Sequence, residues 1–154
     1  MNKELLENII EKESQKSSLV SKDIPDLDLY MDQIMTLFET HLANNKKNED
    51  KLLTKTMINN YSKAKVITPV KGKKYTKEQI LQMLIIYQLK NNLSIQEIKE
   101  LLTPIYESDT DLSLLYDHFI DIKQVMNQQL QKLIQQILED FNLQIENQED
   151  FFLL

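Results

Sequence analysis

The chain has 154 residues, 42% of them apolar, a net charge of −6, 18 lysines and no arginine. That length bounds it to one compact domain, or one small domain with an appendage, and the apolar content excludes wholesale disorder. One glycine and three prolines argue against a many-stranded β fold, the absence of cysteine excludes disulfides and thiolate metal sites, and no apolar run approaches the ~18–20 residues of a membrane span.

The charge is unevenly placed. Lys51, Lys55, Lys63, Lys65, Lys71, Lys73, Lys74 and Lys77 fall in a stretch without an acid. That stretch carries +8 while the whole chain carries −6, so the remainder carries −14. Such asymmetry points to an anionic partner for the basic segment.

The first residues, MNKELLENIIEKESQ, place Leu5, Leu6, Ile9 and Ile10 at helical spacing but put charges in every turn. They read as a helix or arm over residues 1–23, not as a signal peptide, and a cytoplasmic protein is the expectation. ESQKSS, residues 13–18, reads as a frayed polar run.

A helix is expected next, N-capped by Asp26 beyond Pro25, with Leu27, Tyr30, Met31, Ile34, Met35, Phe38 and Leu42 on one face. ANNKKNED, residues 43–50, reads as a polar loop. Thr54 caps a short helix, KTMINNYSKA, with Met57, Ile58 and Tyr61 on one side. In KVITPVKGKKYT, β-branched residues broken by Pro69 and Gly72 predict two short strands around a turn.

Two capping boxes follow. Thr76 to Gln79 opens a helix carrying Ile80, Leu81, Leu84, Ile85 and Leu89. Ser94 to Glu97 opens one carrying Ile95, Ile98, Leu101 and Leu102, stopped by Pro104. A last helix starts near Asp111. Its apolar residues Leu112, Leu115, Phe119, Ile122, Met126, Leu130, Leu133, Ile137 and Phe141 are spaced 3,4,3,4,4,3,4,4, close to a coiled-coil seam. The chain then ends on Phe151, Phe152, Leu153 and Leu154, which could dock on a partner subunit.

A short helix followed by a lysine-rich β turn is the order of a winged helix-turn-helix. Duplex DNA is a dense line of negative charge, and each lysine that meets a phosphate releases counterions. A short helix fits the major groove and can present polar side chains there.

The segment TMINNYSKAKVITPVKGKKYTKEQI, followed by LSIQEIKELL, resembles the MerR-type DNA-binding domain. Tyr61 matches the second of the paired aromatics ending that family's recognition helix. Val66-Ile67-Thr68-Pro69 matches its apolar pair with proline, and Tyr75-Thr76 the tyrosine and cap after its wing. Ile98, Leu101 and Leu102 match the last helix of its closing pair. Asn59 and Asn60 depart from the family, standing where it usually carries an arginine and an aromatic. IPDLDLYMDQI, LLTKTMINNYSKAKVI and KKYTKEQI resemble an uncharacterised bacterial domain family of unknown function, over residues 24–103.

The resemblance implies a mainly α fold: a MerR-like winged helix-turn-helix with a two-stranded wing over residues 24–106, and a long C-terminal dimerisation helix and tail over 107–154. It implies a dimeric DNA-binding regulator. The residues expected at double-stranded DNA are Lys55, Thr56, Asn59, Asn60, Tyr61, Lys63, Lys65, Lys71, Lys73, Lys74 and Tyr75. Asn59 and Asn60 would face base edges, since asparagine pairs bidentately with adenine, and lysines would face phosphates. A homodimer would form through Leu115, Phe119, Ile122, Met126, Leu130, Leu133 and Ile137.

Chemistry is thin. His41 and His118 are the only imidazoles. Asp117, His118 and Asp121 share helical spacing but read as a solvated face, and no phosphate loop or nucleophile–base pair is visible. No enzyme, cofactor, metal or membrane partner is expected. The rival reading is a protein-interaction module on the same winged scaffold, with the glutamine-rich last helix as its binding surface.

Overall fold

The computed structural model describes Glu4, Glu7, Asn8, Glu11, residues 19–42 and residues 53–152, with side chains as far as Phe141. The N-terminal apolar set Leu5, Leu6, Ile9 and Ile10, the runs 13–18 and 43–50, Lys51, and the side chains of the last four residues lie outside the described residues. The chain divides into two units. One is Ser17–Ile120, and the other combines Met1–Lys16 with Asp121–Leu154.

The first unit contains a 3-10 turn at Ser21–Asp23, β1 (Leu29–Tyr30), α1 (Met31–Leu42), α2 (Lys55–Lys63), β2 (Lys74–Tyr75), α3 (Lys77–Leu89), α4 (Ile95–Glu107) and the start of α5 (Leu112–Phe152). β1 and β2 form a two-stranded antiparallel sheet with Leu29 opposite Tyr75 and Tyr30 opposite Lys74.

This register corrects two expectations. Residues 66–75 do not fold as a hairpin on themselves. β2 pairs instead with residues more than forty positions upstream, while Val66 and Ile67, each 1% exposed, are drawn into the core as irregular chain. Nor does a helix begin at Asp26. Leu29 is buried and Tyr30 is held in the strand, so α1 starts at Met31. The Gln33 side-chain oxygen accepts the Tyr30 N–H at 2.9 Å, closing the helix start, and Asp26 pairs with Lys77 instead. The apolar face accordingly begins at Met31, with Ile34, Phe38 and Leu42 buried and Met31 and Met35 half-buried against the core, leaving Leu27 65% exposed and Tyr30 48% exposed.

α3 is the central element. Every residue from Gln79 to Ile86 is buried, so it is covered all round rather than on one expected stripe; a helix apolar on all sides has to lie inside. Both capping boxes form. Thr76 Oγ1 accepts from Gln79 N–H at 3.2 Å while Gln79 Oε1 accepts from Thr76 N–H at 2.9 Å. Ser94 and Glu97 repeat the exchange at 3.2 and 3.1 Å.

α4 is not stopped by Pro104 but continues one turn to Glu107. The proline removes the amide that would serve the Glu100 carbonyl, and Glu100 is exposed, where that loss costs least. Ser108 ends the helix, its hydroxyl donating to the Ile105 carbonyl at 2.7 Å. Ile98 and Leu102 of α4 are buried, whereas Ile95 and Leu101 stay open.

Residues 19–24 belong to this core rather than to an arm. Leu19 and Ile24 are buried, the Tyr116 hydroxyl donates to the Leu19 carbonyl, and Ser21 donates its N–H to Asp117 Oδ1 at 2.9 Å and its hydroxyl to Oδ2. Asp117 is therefore a tether, not part of a solvated face. Leu112, Tyr116 and Ile120 complete the same core. Asp111 starts α5, its carboxylate accepting from Ser113 N–H at 2.9 Å.

In the second unit, Leu138 is buried while Ile122, Met126, Leu130, Leu133, Ile137 and Phe141 are exposed. Among the described residues no helix is long and apolar enough to cross a membrane.

Candidate nucleic-acid interface

α2 is built from its cap. Thr54, extended at the N-cap, accepts the Met57 N–H at 3.1 Å through its hydroxyl. Ile58 and Tyr61 then fall one turn apart on the inner side and are buried. The opposite face follows from the 3.6-residue period: Lys55, Thr56, Asn59, Asn60 and Lys63 are all exposed. Lys55 pairs there with Asp32 of α1.

The helix closes in a Schellman turn. Val66 N–H donates to the Tyr61 carbonyl at 2.9 Å and Lys65 N–H to the Ser62 carbonyl at 3.0 Å. Lys65 occupies the left-handed position, with φ 60°. A β-carbon is disfavoured in that conformation, and glycine is the usual occupant. Buried Val66 packs where the motif places its closing apolar contact.

Two glutamines of α3 then fix the chain. Gln79 Nε2 donates to the carbonyls of Thr68 and Pro69, both at 3.1 Å. Gln82 Oε1 accepts the Thr68 N–H at 2.9 Å and its hydroxyl at 3.2 Å. Beyond this clamp Lys71, Gly72, Lys73 and Lys74 are exposed. Gly72 has φ 93° with open space around it, so the turn needs glycine for its backbone angle, not for lack of room. Lys74 sets its ammonium over the Tyr30 ring, 4.9 Å from the centroid.

Nine of the eleven residues expected at DNA are therefore exposed: Lys55, Thr56, Asn59, Asn60, Lys63, Lys65, Lys71, Lys73 and Lys74. Tyr61 and Tyr75 are not. At 7% and 9% exposed they belong to the core, because each follows the inward period of its element. Burial also raises the pKa of Tyr61 above the ordinary phenol value.

Of the seven positions expected at a dimer seam, Leu115 is half-buried and packs against its own core. Phe119, Ile122, Met126, Leu130, Leu133 and Ile137 are exposed. Among the described residues no group of three His, Asp or Glu is placed to hold a metal.

The sequence reading missed Gln79 and Gln82 as clamps and Asp26, Tyr30 and Asp32 as lysine partners. Gln82 had a visible signal: it is the polar interruption of an otherwise apolar run, ILQMLII, within a helix buried on every side. The lysine partners had none, since strand register and helix placement alone bring them near.

The family described as a domain of unknown function, DUF1836, matches residues 19–119. The chain belongs to the DUF1836 family. The matched span follows the compact unit Ser17–Ile120 closely, so the DUF1836 domain includes both the Leu19–Ile24 segment and the first turns of α5. Neither a curated protein nor a solved structure matches the chain significantly.

Proposed function

We propose that the DUF1836 domain of this chain is a MerR-like winged helix-turn-helix that binds double-stranded DNA, in a dimeric, cytoplasmic transcriptional regulator. The observation that carries the reading is the outer face of α2, where Lys55, Thr56, Asn59, Asn60 and Lys63 stand exposed on a short, well-capped helix. Asn59 and Asn60 with Lys63 beside them suit base edges beside a phosphate. The exposed Lys71–Lys74 turn serves as the wing, built on β2 and its pairing with β1.

Dimerisation is proposed through α5, whose large apolar side chains stand exposed from Phe119 to Phe141. They recur every 11 residues: Phe119, Leu130 and Phe141; Ile122 and Leu133; Met126 and Ile137. An 11-residue repeat favours a slight right-handed twist between paired helices rather than the left-handed heptad supercoil.

The test is fluorescence anisotropy of the full chain with duplex from its own upstream region and a scrambled control, across a salt series. Tighter binding to the native duplex that fades with salt is expected. Asn59→Ala should relax the base preference. No binding to either duplex at low salt overturns the reading. The exposed α5 stripe then favours the second reading, a protein-interaction module.

A further inference from the structure

We propose that the lysine-rich segment contains two functional sets, and that Lys63, Lys65, Lys71 and Lys73 meet phosphates while Lys55, Lys74 and Lys77 serve the fold. The inference rests on the DNA reading above.

The three fold-serving lysines are all engaged by one short stretch of chain, residues 26–32. Lys77 Nζ lies 3.1 Å from Asp26 Oδ1, Lys74 sits over the Tyr30 ring, and Lys55 pairs with Asp32. They come from three different elements, the start of α2, β2 and the first turn of α3. A lysine facing a neighbouring carboxylate, as Lys55 and Lys77 do, is already compensated, so it adds less to the field at a phosphate and displaces fewer counterions; Lys74 keeps its charge, but its ammonium is held over the Tyr30 ring. Among the described residues, the ammonium groups of Lys63, Lys65, Lys71 and Lys73 have no ion pair, hydrogen bond or ring contact.

Lys65 supplies a second, independent observation. Its left-handed backbone is a position where glycine would be more stable. The helix C-terminus favours a cation nearby, but Lys63 already provides one in the last turn. A lysine at Lys65 therefore sacrifices stability for a side chain that the fold does not use. From there to Lys71 the chain is pinned by buried Val66 and Ile67 and by the Gln79 and Gln82 clamps. The backbone that carries the free ammonium groups is thus fixed between the end of α2 and the turn.

The experiment is anisotropy of the full chain with a short mixed-sequence duplex over a salt series, with a melting curve for every variant. Single Lys→Gln changes at Lys63, Lys65, Lys71 and Lys73 should each reduce the slope of log affinity against log salt by about 0.9. The same change at Lys55, Lys74 or Lys77 should reduce it by less than half as much. Lys65→Gly should raise the melting temperature while weakening binding, a combination that a merely structural residue would not give. Equal slope losses in both sets, or Lys65→Gly binding like wild type, would overturn the partition with DNA binding intact. Absence of salt-dependent binding by the wild type would instead overturn the DNA reading, and the partition with it.

Discussion

Gln82, a fully buried side chain of α3, accepts both the N–H and the hydroxyl of Thr68 through one oxygen, at 2.9 and 3.2 Å. The contact binds the irregular chain after α2 to the central helix. Gln82→Met keeps the volume but leaves the part-buried Thr68 N–H without an acceptor, which costs about 1–3 kcal/mol. Part of the loss is offset, because Gln82 Nε2 is itself buried without a partner. Urea denaturation should show a lower midpoint at unchanged slope. An unchanged midpoint would show that the clamp is dispensable.

Buried Tyr116 and half-buried Tyr106 should respond differently to loss of their hydroxyls. Tyr116 donates to the Leu19 carbonyl, whereas the Tyr106 hydroxyl is buried without a partner. Burial raises both phenols far above their ordinary pKa, with Glu78 adding to the effect at Tyr106 and Asp117 at Tyr116. Tyr116→Phe should destabilise by about 1–3 kcal/mol, and Tyr106→Phe should be neutral or stabilising. Melting curves of the two variants provide the comparison, and equal losses would contradict it.

The capping box of α4 should leave a signature in acid. The Ser94 N–H, and next its hydroxyl, hold the Glu97 carboxyl below the ordinary glutamate value, outweighing a small opposing desolvation. A depressed carboxylate contributes stability that is present above the unfolded-state pKa of about 4.3 and lost as pH falls through the lower folded value. Glu97→Gln preserves the box, as Gln79 does in α3, but removes the titration. Melting temperatures measured from neutral pH down through that window should fall less steeply for the variant. Parallel curves would refute the assignment.

The exposed seam of α5 predicts self-association. Leu130 and Leu133 are 52% and 57% exposed. Leu130→Glu and Leu133→Glu place charge on the exposed stripe and change no residue of Ser17–Ile120, so melting of that unit should be preserved. Sedimentation velocity should show a wild-type dimer and monomeric variants. A monomeric wild type at high concentration would remove the dimer from the proposal.

The legible parts of the fold were those written locally. Thr54, Thr76 and Ser94 announced their helices because a capping side chain reaches only three residues along the chain. Ile58 and Tyr61 were legible as the inner side of α2 from period alone, which also exposed Lys55, Asn59, Asn60 and Lys63. Tyr61, expected at DNA from the resemblance, is 7% exposed and lies on the inner side that this period marks. The hairpin expected over residues 65–76 does not form: β-branched Val66, Ile67 and Thr68 have strand propensity, but propensity does not say whether a strand finds a partner.

By itself, then, the sequence determined a mainly helical chain, the capped starts of α2, α3 and α4, and a basic segment inside an acidic protein. These depend on interactions within a few residues or on composition. Only the tertiary structure decided that Lys74–Tyr75 pairs with Leu29–Tyr30, that Asp117 and Tyr116 tie down Leu19 and Ser21, and that Asp26, Tyr30 and Asp32 engage three of the lysines. Those contacts join distant positions, and nothing in local spacing specifies which distant partner a strand edge or a charged side chain will meet once the core around α3 has closed.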